Sequence, residues 1–316
     1  MLKVVSPGLL TTVQDGGRTG YQSRGVPVCG AMDRYALFAA NILVGNDMNE
    51  PALEITALGP TLEFESANIF ALAGGRFAAA LDGAPLKPGR AYAAARGSVL
   101  TVGAAEEGFR AYVAVAGGLD AERVMGSAAT CIAAGFGGYM GRALQTGDRI
   151  GMKAPRAWMS GMTRRETKLR YSAEPDIRVI MGPQDGMFSQ RGKDIFLGSE
   201  YRLSGDCDRM GYRLDGRDIE YSPGNDGNIV SDGVAMGSVQ VPSGKPIIMM
   251  ADRQTIGGYA KIACVISADL PLLAQKRPGD SIRFREVSVM QAQESWRRMM
   301  LGLRALEEDI AAEDIW

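Results

Sequence analysis

The chain reads as mainly β and divided into two tandem domains, and three observations carry that expectation. Short β-branched runs recur at a spacing of about ten residues between Gly, Pro and Asp punctuation, as in RVIMG at 178, NIVSDG at 228, KPIIMMAD at 245, KIACVIS at 261 and SIRFREV at 281. Helical stretches alternating with strands, the mark of a βαβ chain, are mostly missing. The 316 residues, with 46% hydrophobic content, are enough for two packed cores.

Taken in order, the first feature is SPGLLTTVQDGGRTGYQSRGVPVCGAMD, residues 6–33, in which Thr12, Gln14, Asp15, Arg18 and Asp33 lie among glycines and little text alternates. Non-alternating text of that length predicts a long ordered loop, which serves either function or the latching of two domains. AMDRYALFAANILVGN then carries apolar residues at helical spacing and stops at Gly45-Asn46. The stretch 153–176 holds six basic residues and one Glu before Tyr171 and breaks all periodicity, so it is expected to be a solvated linker or a partner-docking strip. ADLPLLAQ places Asp269 before Leu270 and Pro271, as in the first turn of a short helix. From Ser288, with Gln291 completing a capping box, Trp296, Met300, Leu303, Leu306 and Ile310 share one stripe. The expected division is 1–152, a linker 153–176, 177–287, and an amphipathic helix 288–316.

The halves also show short parallels. YVAVAGGLD at 112 followed by LQTGDRIGM at 144 matches the order of IACVISADL at 262 followed by KRPGDSIRF at 276. Two similar β domains related by duplication are the expectation.

Composition excludes much chemistry. The chain has no histidine, so Ser-His-Asp hydrolysis, the H-E-x-x-H zinc site and imidazole acid–base work are ruled out. Its four cysteines form no C-x-x-C pair, and no metal site is expected. Charges nearly cancel, 35 basic against 36 acidic, which offers no field for nucleic acid or an anionic membrane. No signal-type or spanning apolar run is present, and a cytoplasmic location is expected. GFGGYMGR at 135 and VPSGKP at 241 both miss the phosphate-loop spacings.

Candidate chemistry concentrates in CDRMGYRLDG (207–216), SDGVAMGSVQVPSGKP (231–246) and ADRQTIGGYAKIA (251–263), where polar side chains sit among glycines inside strand-like text. Arg209, Arg253 and Lys261 can hold a carboxylate, while Gln240 and Gln254 match both ends of an amide. Each also has a structural reading: Asp252 with Arg253 as a surface ion pair, the glutamines as partners of buried backbone, Lys261 as a rim charge. A small acid carrying an amide or lactam fits the set. With no histidine, a proton must move through Asp252, Asp232 or Lys261.

TTVQDGGRTGYQSRGVPVCGAMD, LEITALGPTLEF, RAYVAVAGGLD, GPQDGMF, RMGYRLDG, SDGVAMGSVQVPSGKPI, DRQTIGGYAKIA and AQKRPGDSIRF together resemble the family of 5-oxoprolinase C-type subunits, also known as allophanate hydrolase subunit 2, one half of the carboxyltransferase region of urea amidolyase. The resemblance implies two tandem cyclophilin-like β-barrel domains. It also implies a subunit that works with B-type and A-type partners to hydrolyse 5-oxoproline to glutamate at the expense of ATP, with ATP bound mainly by or with a partner and the chain inactive or nearly so alone. Two other branches imply alternatives: a biotin-dependent carboxyltransferase acting on urea or a related amide, and a regulator antagonising a B-type histidine-kinase inhibitor. Carried onto this sequence, the site falls on Arg209, Gln240, Asp252, Arg253, Gln254, Gly257, Gly258, Tyr259 and Lys261. Asp252 and Lys261 are the catalytic candidates, supported by Thr12, Gln14, Asp15 and Asp33. Ile256 stands where the family usually has Thr, Ala260 where it has Pro, and Cys29 where it has Ser.

Overall fold

The computed structural model describes residues 1–154, 163, 165–169, 171 and 176–313, with side chains described to residue 309. It divides into two compact units: Met1–Arg18, Cys29–Arg170 and Met300–Trp316 form the first, and Thr19–Val28 with Tyr171–Met299 form the second. Both are β-rich, as the punctuation of the sequence predicts. Most of the expected linker 153–176, and the side chain of Ile310, lie outside the described residues.

The first unit contains β1 (Leu2–Ser6), β2 (Leu10–Gln14), α1 (Arg34–Leu43), β3 (Ala52–Thr56), β4 (Thr61–Phe64), β5 (Asn68–Leu81), β6 (Ala84–Pro85), β7 (Arg90–Ala94), β8 (Val99–Val115), β9 (Leu119–Asp120) and β10 (Arg149–Met152). Its ten strands form one half-barrel sheet, ordered β2-β3-β8-β4-β1-β10-β9, with β5 pairing β6, β7 and β8. The turn between β5 and β6 is Asp82-Gly83, both at positive φ, the two-residue hairpin turn that matches strand twist.

Alternation along β5 and β8 decides the packing. Phe70, Leu72, Val113 and Val115 face one core, while Ala71, Ala73, Tyr112 and Ala114 face another beneath α1. The small alanines let the helix lie close to the sheet. Asp33 caps α1 by accepting from the Ala36 amide at 2.9 Å, and the chain leaves the helix through Gly45 at φ 70.

The second unit contains β11 (Asp176–Met181), α2 (Gln190–Gly198), β12 (Glu200–Leu203), β13 (Gly211–Asp215), β14 (Asn228–Gly233), β15 (Ser238–Gln240), β16 (Ile247–Met249), β17 (Ile256–Tyr259), β18 (Lys261–Val265), α3 (Leu270–Ala274) and β19 (Ser281–Glu286). Seven of these strands close a barrel in the order β11-β18-β15-β16-β13-β12-β19, and β14 pairs with β17 as a separate ribbon. One residue in two points inward: Val179, Tyr212, Leu214, Val239, Ile248, Ala263 and Phe284 are all buried. Phe196 of α2 stacks on Phe284 at 4.4 Å between ring centroids, closing one end.

The tail helix α4 (Val289–Glu313) begins with the predicted capping box, Ser288 and Gln291 exchanging bonds of 2.9 and 3.2 Å. Leu303 is buried against the core beneath α1, with Met300 and Leu306 beside it. Asp269 does precede α3, but its side chain makes no cap. It is fully buried on Arg178, whose Nη2 donates at 2.6 Å, because a buried carboxylate gains more from a guanidinium than from one amide.

Of the strands that carry the two Gly-Asp texts, β10 runs antiparallel to β1 and β19 runs parallel to β11. Among the described residues no helix is long and apolar enough to cross a membrane.

Candidate functional site

The second unit carries an open cleft of about 930 Å³ on the outer face of its barrel. Because Tyr212, Ile248 and Val239 point inward, their neighbours Arg213, Ile247 and Gln240 must point outward. Strand register sets them in one row: Arg213 of β13 lies opposite Ile247 of β16, and Ile247 lies opposite Gln240 of β15. Gly211 opposite Met249 forms the next row. The loop after β12 forms one wall with Asp206, Cys207, Asp208 and Met210, and Gln254 with Tyr259 forms the other. Asp208 Oδ1 accepts from the amides of Met210 and Gly211 at 2.8 and 3.0 Å, which fixes the loop's return into β13.

Two glutamines make the polar centre. Gln254 Nε2 donates to Gln240 Oε1 at 3.3 Å, and Gln240 Nε2 donates to the Tyr259 carbonyl at 3.4 Å. Gln240 is 2% exposed, while the Oε1 of Gln254 is not engaged by any described residue. Gly257 explains why DRQTIGG needs its glycine here. A Cβ at 257 would lie 2.5 Å from Gln240 Nε2 and 3.1 Å from a Val234 methyl, so only a bare α-carbon leaves room for the amide pair. Gly258 is looser, with neighbours at 3.5 Å.

The charged candidates divide differently from expectation. Asp252 accepts from Arg209 Nε at 2.9 Å and Nη2 at 2.8 Å, with side chains only 13% and 6% exposed. The Asp252 amide also donates to the Arg209 carbonyl at 2.8 Å. With both oxygens engaged by a guanidinium, this carboxylate holds the turn after β16 to the loop before β13. Arg253 does not pair with Asp252 at a surface. It is buried, donating to the carbonyls of Val234 and Met250 at 2.9 and 3.3 Å.

Lys261 does not line the cleft, but it lies opposite Gln240 in the β15–β18 register. Its Nζ, with the side chain 5% exposed, is 3.3 Å from Asp232 Oδ2, and its amide donates to Gln184 Oε1 at 3.2 Å. The Gly233 amide, then Lys261, hold the exposed Asp232 carboxyl below the ordinary aspartate range. Burial raises the pKa of the Cys207 thiol in the cleft wall, which favours the thiol over the thiolate.

The first-half residues are internal to their own unit. Gln14 Nε2 donates to Thr12 Oγ1 at 3.0 Å, and Asp15 accepts from Gly17, Ser127 and Ala128 at 2.8, 2.6 and 2.6 Å. Asp33 caps α1 while its amide donates to Tyr112 Oη, which in turn donates to Glu54 at 2.6 Å. Burial, then the carboxylates of Glu54 and Asp33, push that phenol well above its ordinary pKa.

Of the cleft residues, sequence reasoning singles out Gln240, Gln254 and Tyr259; Arg213 lies inside the selected stretch RMGYRL without being named, and Ile247 and Met249 are missed. The one signal available for Arg213 is the alternation in GYRLD, which puts it on the face opposite Tyr212 and Leu214. Which of those faces meets a ligand depends on the partner strand.

Comparison with known proteins agrees with this architecture. Residues 24–286 match the model of the carboxyltransferase domain, subdomain A and B. The chain is 42% identical to the C-type subunit of Escherichia coli 5-oxoprolinase over 298 residues, covering 92% of this chain and 93% of that one. It is 37% identical to the corresponding Haemophilus influenzae 5-oxoprolinase subunit over 293 residues, with coverage of 92% and 93%. It superposes on the crystal structure of Kluyveromyces lactis urea carboxylase with a TM-score of 0.90 at 30% identity, covering 98% of this chain but only 29% of that longer one. The chain therefore belongs to the carboxyltransferase-domain family, subdomains A and B, which includes the C-type subunits of 5-oxoprolinase.

Proposed function

We propose that this chain is the C-type subunit of an ATP-dependent 5-oxoprolinase, acting with B-type and A-type subunits to open the lactam of 5-oxoproline to glutamate. The observation that carries the reading is the Gln240–Gln254 amide pair facing an open cleft, in a chain that matches the bacterial C-type subunits over nearly their whole length. A lactam presents one N–H and one carbonyl side by side, and the glutamine pair offers an acceptor and donors to meet them.

Opening the ring breaks the amide C–N bond, adds water across it and leaves a carboxylate and an amine. On this chain the glutamines orient the lactam through its N–H and carbonyl. The cleft does not suit a triphosphate, since Arg213 is its only lining cation among the described residues and Asp206 and Asp208 stand on its wall. ATP accordingly belongs with a partner subunit in this reading. The decisive experiment is co-expression with the A- and B-type partners and measurement of ATP-dependent glutamate formation. Full activity from those two partners without this chain would sink the proposal.

One alternative has an observation of its own. The family description and the superposition on urea carboxylase favour a carboxyltransferase that moves a carboxyl group from carboxybiotin to urea or a related amide. Supplying carboxybiotin separates the two readings, because only this one yields a carboxylated amide.

A further inference from the structure

The cations chosen from the sequence are all engaged within the second unit. Arg209 is paired with Asp252, Arg253 donates to main-chain carbonyls, and Lys261 holds Asp232. Arg213 differs. It is exposed on the cleft face of β13, no described residue forms an ion pair with its guanidinium, and only its carbonyl is used, accepting from the Ser204 amide at 2.9 Å.

Its place in the sheet gives it a partner and a distance. Arg213, Ile247 and Gln240 are successive cross-strand neighbours, so the cation and the amide stand two strand spacings apart, about 10 Å between backbones. The arginine's long side chain shortens that gap, and Ile247 leaves an apolar seat between the two polar ends. We infer that Arg213 is the carboxylate anchor of the cleft, and that the Arg213–Ile247–Gln240 row selects a small monocarboxylate whose amide or lactam is separated from its acid by a short stretch of hydrocarbon. A guanidinium meets a carboxylate in two parallel bonds, which fixes orientation as well as charge. Asp206 and Asp208 on the same wall oppose a second carboxylate, so diacids are disfavoured.

This deepens the oxoprolinase reading and rests on it for the choice of first ligand. The test is calorimetric titration of the full chain, alone and in complex with its partners. The ligands are 5-oxoproline against pyrrolidinone, the same lactam without the acid, and N-acetylglycine against its neutral methyl ester. The wild type is expected to favour each bound acid over its neutral counterpart. Arg213→Gln should bring that ratio close to one, a loss of about ten-fold or more in acid affinity, while leaving the neutral ligand and the melting temperature unchanged. Arg213→Lys should restore part of the ratio. An unchanged acid preference in Arg213→Gln overturns the inference, as does a wild type that holds no acid better than its neutral partner. Arg213-dependent binding of N-acetylglycine with none of 5-oxoproline keeps the anchor and removes the oxoprolinase reading instead.

Discussion

In the first unit Thr12, Gln14, Asp15 and Asp33 are each 3% exposed or less, and their bonds go to their own backbone and to neighbouring side chains. In the second unit Gln254, Tyr259 and Arg213 stand on an open cleft, with only Gln240 buried behind them. Both stretches are written alike, polar residues among glycines between short strands. Such text marks a backbone that needs close approach, and what approaches is either the chain itself or a ligand. Glycines do not distinguish the two, and neither does an unengaged polar atom alone, since Gln14 Oε1 also lacks a partner; what differs is that Gln14 is fully buried whereas the Gln254 amide opens on a cleft.

Removing a brace from the cleft side puts this contrast under the greatest strain. Asp252→Ala takes the carboxylate from a largely buried Arg209, and stability should fall by about 3–5 kcal/mol in denaturant titration. Asp252→Asn should lose less stability and keep most of the turnover per folded molecule. If Asp252 moved the proton, the Asn variant would instead fold well and be inactive.

The corresponding change in the first unit is Asp15→Ala, which orphans the Gly17 and Ala128 amides and the Ser127 hydroxyl. A loss of roughly 2–3 kcal/mol is expected, with ligand affinity per folded molecule unchanged. A specific loss of affinity at full stability would show that the first loop contributes to binding after all.

Much of the fold is legible because it depends on local text. The ten-residue punctuation, the α1 stop at Gly45 and the Ser288–Gln291 box all rest on contacts within a few residues. The site is legible only in part. Gln240 and Gln254 are 14 residues apart, with one strand, β16, between them, so they can be grouped. Arg213 reaches Gln240 through Ile247 by strand pairing alone, a relation no window of sequence contains. The pairing of Asp252 is hidden for the same reason: its partner Arg209 lies 43 residues away, beyond any local window.

A more modest change is expected from Gly257→Ala. Its φ is not in the left-handed region, so the backbone tolerates alanine, but the added methyl must displace the Gln240 amide or Val234. Ligand affinity should drop about ten-fold, roughly 1.4 kcal/mol, with little change in melting temperature. Gly258→Ala, whose neighbours stand 3.5 Å away, serves as the paired control and should bind normally. Equal losses at both positions would mean that the ribbon as a whole, and not the glutamine pair, shapes the cleft.

Acidity offers the gentlest perturbation, one that separates the ribbon from the barrel. The Asp232 carboxyl, held low by the Gly233 amide and then by Lys261, has a folded pKa below its unfolded one. Its contribution is therefore fully present above the unfolded value and is lost only as pH falls through the lower, folded value. At neutral pH the β14–β17 ribbon should be fastened by this pair, and acidification below the ordinary aspartate range should release it before the barrel unfolds. Hydrogen exchange read residue by residue tests this: amides of Asn228–Gly233 and Ile256–Tyr259 should lose protection in acid while those of β16 keep theirs, and Asp232→Asn should remove that pH step. Loss of protection in ribbon and β16 together, at one pH, would mean that the ribbon has no opening of its own and that the Lys261–Asp232 pair acts only through the stability of the barrel.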